Sequence, residues 1–402
     1  MTPEVKERIE QIRHGNLPEG YKKTAVGISP DDWQEIQLSK VVDFLDDRRI
    51  PIKESERIQG KYPYYGASGV IDHVADYIFD GEYILLGEDG ANIIERSTPL
   101  AFRVSGKCWI NNHAHVLSPK DGYHIDYLTN YLESLSYAKY NSGTAQPKLN
   151  QDTCQKIPVV CGSYTEQVKI ADILSAQDTI MELKEKLLAE KQRQKKYLMQ
   201  QLLTGKKRLS GYNGEWQFVR ASQLFKSVSD KKHDGTLEVL SATQDRGIIP
   251  RCQVDIDIKY AEESLTGYKK VEKGNFVISL RSFQGGIEYS EYTGIVSPAY
   301  TVLASTYPIE DNYYKQFFKS ADYINRLNIA VYGIRDGKQI SYDDFGRIKI
   351  PYPPLEEQRA IAAIFATADQ EIELLRKYIE REKQKKKALM QLLLTGIVRV
   401  NA

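Results

Sequence analysis

One stretch of the chain occurs twice, and no other feature limits the possible folds as strongly. Gln167 to Arg208 aligns without gaps on Gln358 to Arg399 at a constant offset of 191, and 18 of the 42 paired positions are identical. The identities gather at the two ends of the stretch: Ile170/Ile361, Ala171/Ala362, Ile173/Ile364 and Asp178/Asp369 near the start, then Leu-Met-Gln and Leu-Leu-Thr-Gly near the finish. Similarity of helical composition alone does not hold register in this way.

Each copy reads as one long helix. Apolar residues recur at helical spacing, neither Gly nor Pro interrupts nearly 40 residues, and Gly205 or Gly396 follows as a C-terminal stop. At 1.5 Å per residue each rod spans about 55 to 60 Å. The middles, EKQRQKK at 190–196 and EREKQKKK at 380–387, are almost wholly polar. A lone rod has little to bury there, so the two rods are expected to pair through their apolar ends, with the lysine runs as a solvated face or, alternatively, a phosphate-facing one.

Ahead of each rod lie about 140 residues of opposite texture, short β-rich runs broken by Gly and Asn. Both segments open on a Trp followed by alternation (Trp33 to Val42, Trp216 to Phe225) and close on Ile-Pro (Ile157-Pro158, Ile350-Pro351). Gly81-Glu82-Tyr83-Ile84-Leu85 echoes Gly274-Asn275-Phe276-Val277-Ile278, and Asn112-His113-Ala114-His115 lines up with Ser297-Pro298-Ala299-Tyr300. Two domains of one fold, with diverged loops, alternate with two rods. The expected division is 1–158, 159–211, 212–351 and 352–402.

Composition matters for what it excludes. With 55 Lys and Arg against 54 Asp and Glu, the chain lacks the basic excess of a protein that grips phosphates by charge alone. The rods are basic, ten against six charges in 166–208 and nine against six in 357–402, which leaves the globular parts acidic. Any nucleic-acid contact there must use local arrays of donors and acceptors. Cys108, Cys154, Cys161 and Cys252 form no CxxC pair, so neither a disulfide framework nor a four-cysteine zinc site is expected. No apolar run reaches the roughly 18 residues of a spanning helix, and Met1 to His14 is charged rather than signal-like, so a soluble, cytoplasmic protein is expected.

The loops carry the polar chemistry. The first domain has YPYYGASG at 62–69, GEDGAN at 87–92, WINNHAH at 109–115 and GTAQPKLN at 143–150; the second has SATQDRG at 241–247, RSFQGG at 281–286, SPAY at 297–300 and GIRDGKQ at 333–339. Asn and Gln can bond an adenine edge bidentately, Arg and Lys can bond guanine, and Gly lets backbone approach a groove. The side chains that could make such contacts are Tyr64, Ser68, Asn92, Asn111, Asn112, His113, Gln146 and Lys148 in the first domain. In the second they are Thr243, Gln244, Arg246, Arg281, Ser282, Gln284, Arg335 and Lys338. Taken singly, each motif is ordinary turn chemistry. His113 and His115 have no third ligand nearby in the sequence, so no metal is expected. The chain also lacks a GxxxxGK[ST] phosphate loop, an Asp/Asn-Pro-Pro-Tyr/Phe tetrapeptide, a GxSxG elbow and an HExxH helix. It reads as a binding protein without chemistry of its own.

IPYPPLEEQ at 350–358, the looser IPVVCGSYTEQ at 157–167, the LLTG rod ends, Gly20 to Thr24 before Trp33, and GTAQPKLNQ at 143–151 together carry a resemblance. Over essentially its whole length the chain resembles the specificity subunits of type I restriction-modification enzymes. It departs from their pattern where Cys161-Gly162-Ser163-Tyr164 replaces Pro-Leu-Glu and adds two residues. The resemblance implies an α+β architecture: two mixed α/β target recognition domains separated by an antiparallel coiled coil of the two repeated helices. It also implies a non-catalytic reader of double-stranded DNA with a split site, working with two adenine methyltransferase subunits and with ATP-dependent restriction subunits. S-adenosylmethionine, ATP and magnesium would then belong to those partners and none to this chain. Two alternatives stay open at the level of sequence, a protein-binding scaffold on a coiled coil and the recognition subunit of a type II-like fused nuclease-methyltransferase.

Overall fold

Each copy of the repeat folds as one 39-residue helix, Tyr164–Leu202 and Leu355–Leu393, in the computed structural model, which describes residues 2–143, 146–254, 262–330 and 340–400. Both helices stop in the same way. Gly205 and Gly396 take φ of 71° and 70°, a left-handed conformation that suits glycine, and the amides of Lys207 and Val398 reach back to the carbonyls of Gln201 and Leu392. The starts differ. The second copy enters through Pro353-Pro354, whereas the first uses a reciprocal cap in which the Ser163 hydroxyl accepts from the Glu166 amide and the Glu166 carboxylate from the Ser163 amide. Gly162 precedes that cap because a Cβ there would stand 2.5 Å from the Trp33 indole nitrogen.

The chain forms two compact units, Met1–Glu185 with Tyr378–Ala402, and Lys186–Lys377. Each therefore holds the first part of one long helix and the last part of the other. Within the first unit the two helical stretches run antiparallel: Lys386 pairs with Asp178, and Glu382 receives Gln177 and Lys184 at 2.8 Å each. Within the second unit Lys195 pairs with Asp369 and Lys191 with Glu371. Lys195–Asp369 is Lys386–Asp178 displaced by the repeat offset. Part of each lysine run is thus spent on the neighbouring helix, neither a purely solvated face nor one reserved for phosphate.

Matching positions of the repeat close the two cores. Ile170, Ala171 and Leu174 join Leu393 and Leu394 in the first unit, and Ile361, Ala362 and Phe365 join Leu202 and Leu203 in the second. A second joint repeats as well. The Arg399 guanidinium binds Glu166 and Asp32 beside the Trp33 ring, and Arg208 binds Glu357 through two 2.6 Å bonds beside Trp216. The next residue along, Gln167 or Gln358, accepts from the amide that opens the adjoining helix, His124 or Glu310.

The opening and closing segments read from the sequence pair with each other in both units. Gln34–Gln37 runs antiparallel to Pro158–Cys161, and Gln217–Arg220 to Lys349–Tyr352. Between them the first unit builds a six-stranded sheet in the order Val42–Phe44, Ala114–Pro119, Phe79–Gly87, Ala101–Ile110, Gln59–Gly66, Gly69–Val74. Only the contact of Gln59–Gly66 with Ala101–Ile110 is parallel. The second unit repeats three of these neighbours as Phe225–Val228, Thr301–Ser305 and Phe276–Ile278, and adds Glu288–Tyr289. Leu85 pairs with Val116 and Ile278 with Thr301, so the faint internal echoes mark equivalent strands. Tyr131 and Tyr314, on the helix that follows each sheet, donate to the carbonyls of Pro158 and Pro351 and tie that helix to the closing strand.

Candidate nucleic-acid interface

In the first unit four loops meet beyond the strand ends. The Glu88 amide donates to the His113 carbonyl, Leu149 to Glu88, Gly90 to Pro147, and Asn111 to Tyr65. Ala67, in the hairpin turn that carries Ser68, lies so close to Gly87 that a Cβ there would stand 3.0 Å from its carbonyl oxygen. Ser68, Asn112, His113, Gln146 and Lys148 are exposed on this cluster. Asp89 holds His113 at 2.8 Å and Glu88 holds Lys148 at 3.3 Å. The array can offer an amide, an imidazole and an ammonium to a groove while carboxylates behind them fix their directions.

Beneath these loops His115 is buried, with Nδ1 2.6 Å from Asp46 and Nε2 2.7 Å from the Leu149 carbonyl oxygen. Both partners only accept, so both ring nitrogens donate and the ring is an imidazolium. Burial by itself would pull its pKa down; the hydrogen bond to Asp46, with Cys154 alongside, outweighs that and brings it up to about 10. Arg49 completes the group by binding Glu88, Asp46 and the Ala114 carbonyl. The His-x-His pair thus divides its work: His113 faces outward and His115 is an internal cation. Among the described residues no group of His, Cys, Asp and Glu could hold a metal ion.

In the second unit two loops lie against one another. Gln244 and Arg246 are exposed on the turn between Leu240–Thr243 and Gly247–Pro250, which the Thr243 hydroxyl closes by donating to Gly247 and accepting from the Arg246 amide. Arg281 and Gln284 are exposed on the neighbouring turn, where the Gln244 side chain packs so near Gly285 that a Cβ there would stand 2.9 Å from it. Burial raises the pKa of the Tyr300 hydroxyl, and the Arg251 and Arg281 charges offset part of that rise.

Three side chains expected at DNA are instead interior. Tyr64 is buried, its hydroxyl taken by the Ile52 backbone and its ring by Arg57. Asn111 is buried and accepts from the His113 amide, and Ser282 is buried and accepts from the Ser279 amide. These three shape turns and are not available to a base edge. The Asn92 side chain binds both backbone groups of Thr98 and closes its own loop. Arg335 and Lys338 lie outside the described residues. Sequence reasoning missed the roles of Asp46, Arg49 and Glu88: Asp46 and Arg49 pair three residues apart, but His115 and Glu88, which they hold, stand tens of residues away without any spacing signal.

The sequence profile of the family described as type I restriction modification DNA specificity domain matches residues 30–193 and again 194–382. The S.HindORF215P protein of Haemophilus influenzae, whose assigned name is that of a type I restriction enzyme specificity subunit, is 28% identical over 362 residues, covering 83% of this chain and 86% of its own. The type I restriction enzyme MjaVIII specificity subunit of Methanocaldococcus jannaschii is 24% identical over 407 residues, 92% of this chain and 94% of its own. Among solved structures, the S subunit of a type I restriction-modification system from M. genitalium matches with a TM-score of 0.56 at 15% identity, over 90% of this chain and 96% of that one. A chain from a structure devoted to complex assembly and conformational transition of the type I system matches at 0.57 and 15%, over 92% and 99%. These two likenesses concern the fold.

Proposed function

The chain belongs to the type I restriction-modification DNA specificity family, and on that premise we propose that each of its two units reads one half of a split DNA target. The observation that carries this reading is the placement of the loops. In both units polar loops gather around the turn that follows an equivalent strand, Phe79–Gly87 in one and Phe276–Ile278 in the other, with Asn112, His113, Gln146 and Lys148 exposed in the first and Gln244, Arg246, Arg281 and Gln284 in the second. One frame with two sets of side chains suits a protein that reads two different sequences.

The repeated joints suggest what the frame serves. Each unit offers a similar pair of antiparallel helical stretches, a natural seat for one of two like partners, here adenine methyltransferase subunits, alongside ATP-dependent restriction subunits. In this reading the chain catalyses no step. Its residues bind, orient and select, while S-adenosylmethionine, ATP and magnesium act on the partners and the target base is flipped into a methyltransferase pocket. The working place is the prokaryotic cytoplasm; no helix among the described residues is long and apolar enough to cross a membrane.

Replacing residues 33–158 by the corresponding part of another family member, followed by methylome sequencing, tests the proposal. One half of the methylated motif should change and the other persist. Alteration of both halves by the single exchange would refute it.

A further inference from the structure

Lys319 lies between the helices Asp311–Phe317 and Ala321–Ala330, outside every loop motif of the sequence. Its ammonium donates to the Gln244 carbonyl at 3.2 Å, to the Gly285 carbonyl at 2.9 Å and to the Glu288 carboxylate at 2.6 Å. An ammonium has three N–H donors, so this set uses them all. Two of the acceptors belong to the two turns that display Gln244 and Arg246, and Arg281 and Gln284. The third, Glu288, is 1% exposed. A buried carboxylate is costly unless paired; burial raises the Glu288 pKa to about 7, and Lys319 beside it pulls the other way.

The surrounding backbone is fitted to the same arrangement. Gly286 has φ of 80°, and a Cβ there would stand 2.0 Å from the Phe318 carbonyl oxygen, so the 281–286 turn rests directly on the residue before Lys319. Gly247 has φ of 77°, and a Cβ there would stand 2.6 Å from the Tyr289 carbonyl oxygen, which seats the 243–247 turn on the strand that carries Glu288. The first unit meets the same need with another cation, since His115 joins Asp46 to the Leu149 carbonyl behind Lys148.

We propose that Lys319 is a positioning residue for base recognition: by joining the Gln244 and Gly285 carbonyls to buried Glu288, it fixes the separation of the two turns that read the second half-site. The inference rests on the assignment of those turns to DNA. Lys319 touches no base in this scheme. It sets where Gln244 and Arg281 stand, and a side chain displaced by about 1 Å no longer meets both atoms of a base edge.

The test uses the full chain with its methyltransferase partner and reads the methylated motif in cells. Lys319→Met should relax one or more positions of the second half-site, with loss of discrimination on the order of tenfold, and leave the first half-site unchanged. Lys319→Arg, which keeps a multiple donor, should restore part of it. The double variant Lys319→Met with Glu288→Gln removes the unpaired carboxylate and keeps the fold; it should stay relaxed, because stability is not what the ammonium supplies. Gln244→Ala and Arg281→Ala serve as controls. If they change the motif while Lys319→Met and the double variant leave it intact, the positioning role is overturned. If none of them changes it, the assignment of the turns to DNA fails, and the role of Lys319 with it.

Discussion

Arg399 follows the second globular segment in the chain, yet it is built into the first unit, and replacing it should reveal which assignment governs stability. Its guanidinium binds Glu166, whose side chain is 4% exposed, and the more open Asp32. In Arg399→Met, Glu166 keeps the 3.3 Å bond from the Ser163 amide and loses its cation. Stranding a buried carboxylate costs about 3–5 kcal/mol, the Asp32 arm at most about 1. Because Arg399 is itself about a third exposed and water can enter, a net loss of about 2–4 kcal/mol is expected. For a unit of this size that lowers Tm by roughly 5–15 °C. In hydrogen exchange, protection should fall about 30-fold to 1000-fold for amides of 34–37, 158–161 and the Ala114–Pro119 strand, and stay unchanged in 217–352. Arg208→Met should give the opposite map through Glu357. Pairing Arg399→Met with Glu166→Gln should recover about 1 kcal/mol or more, since no buried charge is then left alone. Lost protection in 217–352 after Arg399→Met, with the first unit intact, would refute the assignment of Arg399 to the first unit.

Three further outcomes follow from the same structure. His115 has a folded pKa of about 10 against an ordinary 6.5 when unfolded. Its contribution is therefore complete below about pH 6.5 and is lost as pH rises towards 10; urea unfolding of the first unit should weaken over that window and the His115→Gln variant should lack that slope, whereas an imidazole titrating near 6.5 by NMR would defeat the assignment. Gly247→Ala places a Cβ 2.6 Å from a carbonyl oxygen at positive φ and should cost about 1–3 kcal/mol or more of second-unit stability by thermal melt; an unchanged melt would show that the turn does not press on Tyr289. Arg281→Ala should cost about 1–3 kcal/mol at one base position, while Lys148→Ala, as a phosphate contact, should weaken binding to all sequences alike and reduce the salt slope by about 1; competition assays over a salt series distinguish the two patterns.

The repeat was legible in the sequence because its identical positions carry mechanical duties that tolerate few side chains. Ile170 and Ile361 enter cores, Leu203 and Leu394 close them, and Arg208 and Arg399 neutralise buried glutamates. The Trp openings and Ile-Pro closings were visible as matching segments, although their pairing as strands depends on contacts more than 120 residues apart. Loops could be located but not turned. In YPYYG the strand alternation sends Tyr64 inward, and the amides of Asn111 and Ser282 neighbours claim side chains that looked free. The supports, His115 with Asp46 and Lys319 with Glu288, are joined across 69 and 31 residues. Nothing local marks such partners, because what selects them is the desolvation of a charge in the finished core.

The crossing of the repeat also imposes an order on synthesis. The first globular segment emerges from a ribosome early, but its core includes Leu393 and Leu394, and its Glu166 has no cation until Arg399 appears. At about 5–20 residues per second the interval from Glu185 to those residues is roughly 10 to 40 s, during which the apolar surface that Leu389, Met390 and Leu393 will cover stays open. A nascent chain is therefore without a finished first reader until translation has passed the second. Chains that terminate early lack Leu393, Leu394 and Arg399, so the first core is left open at the surface these residues cover.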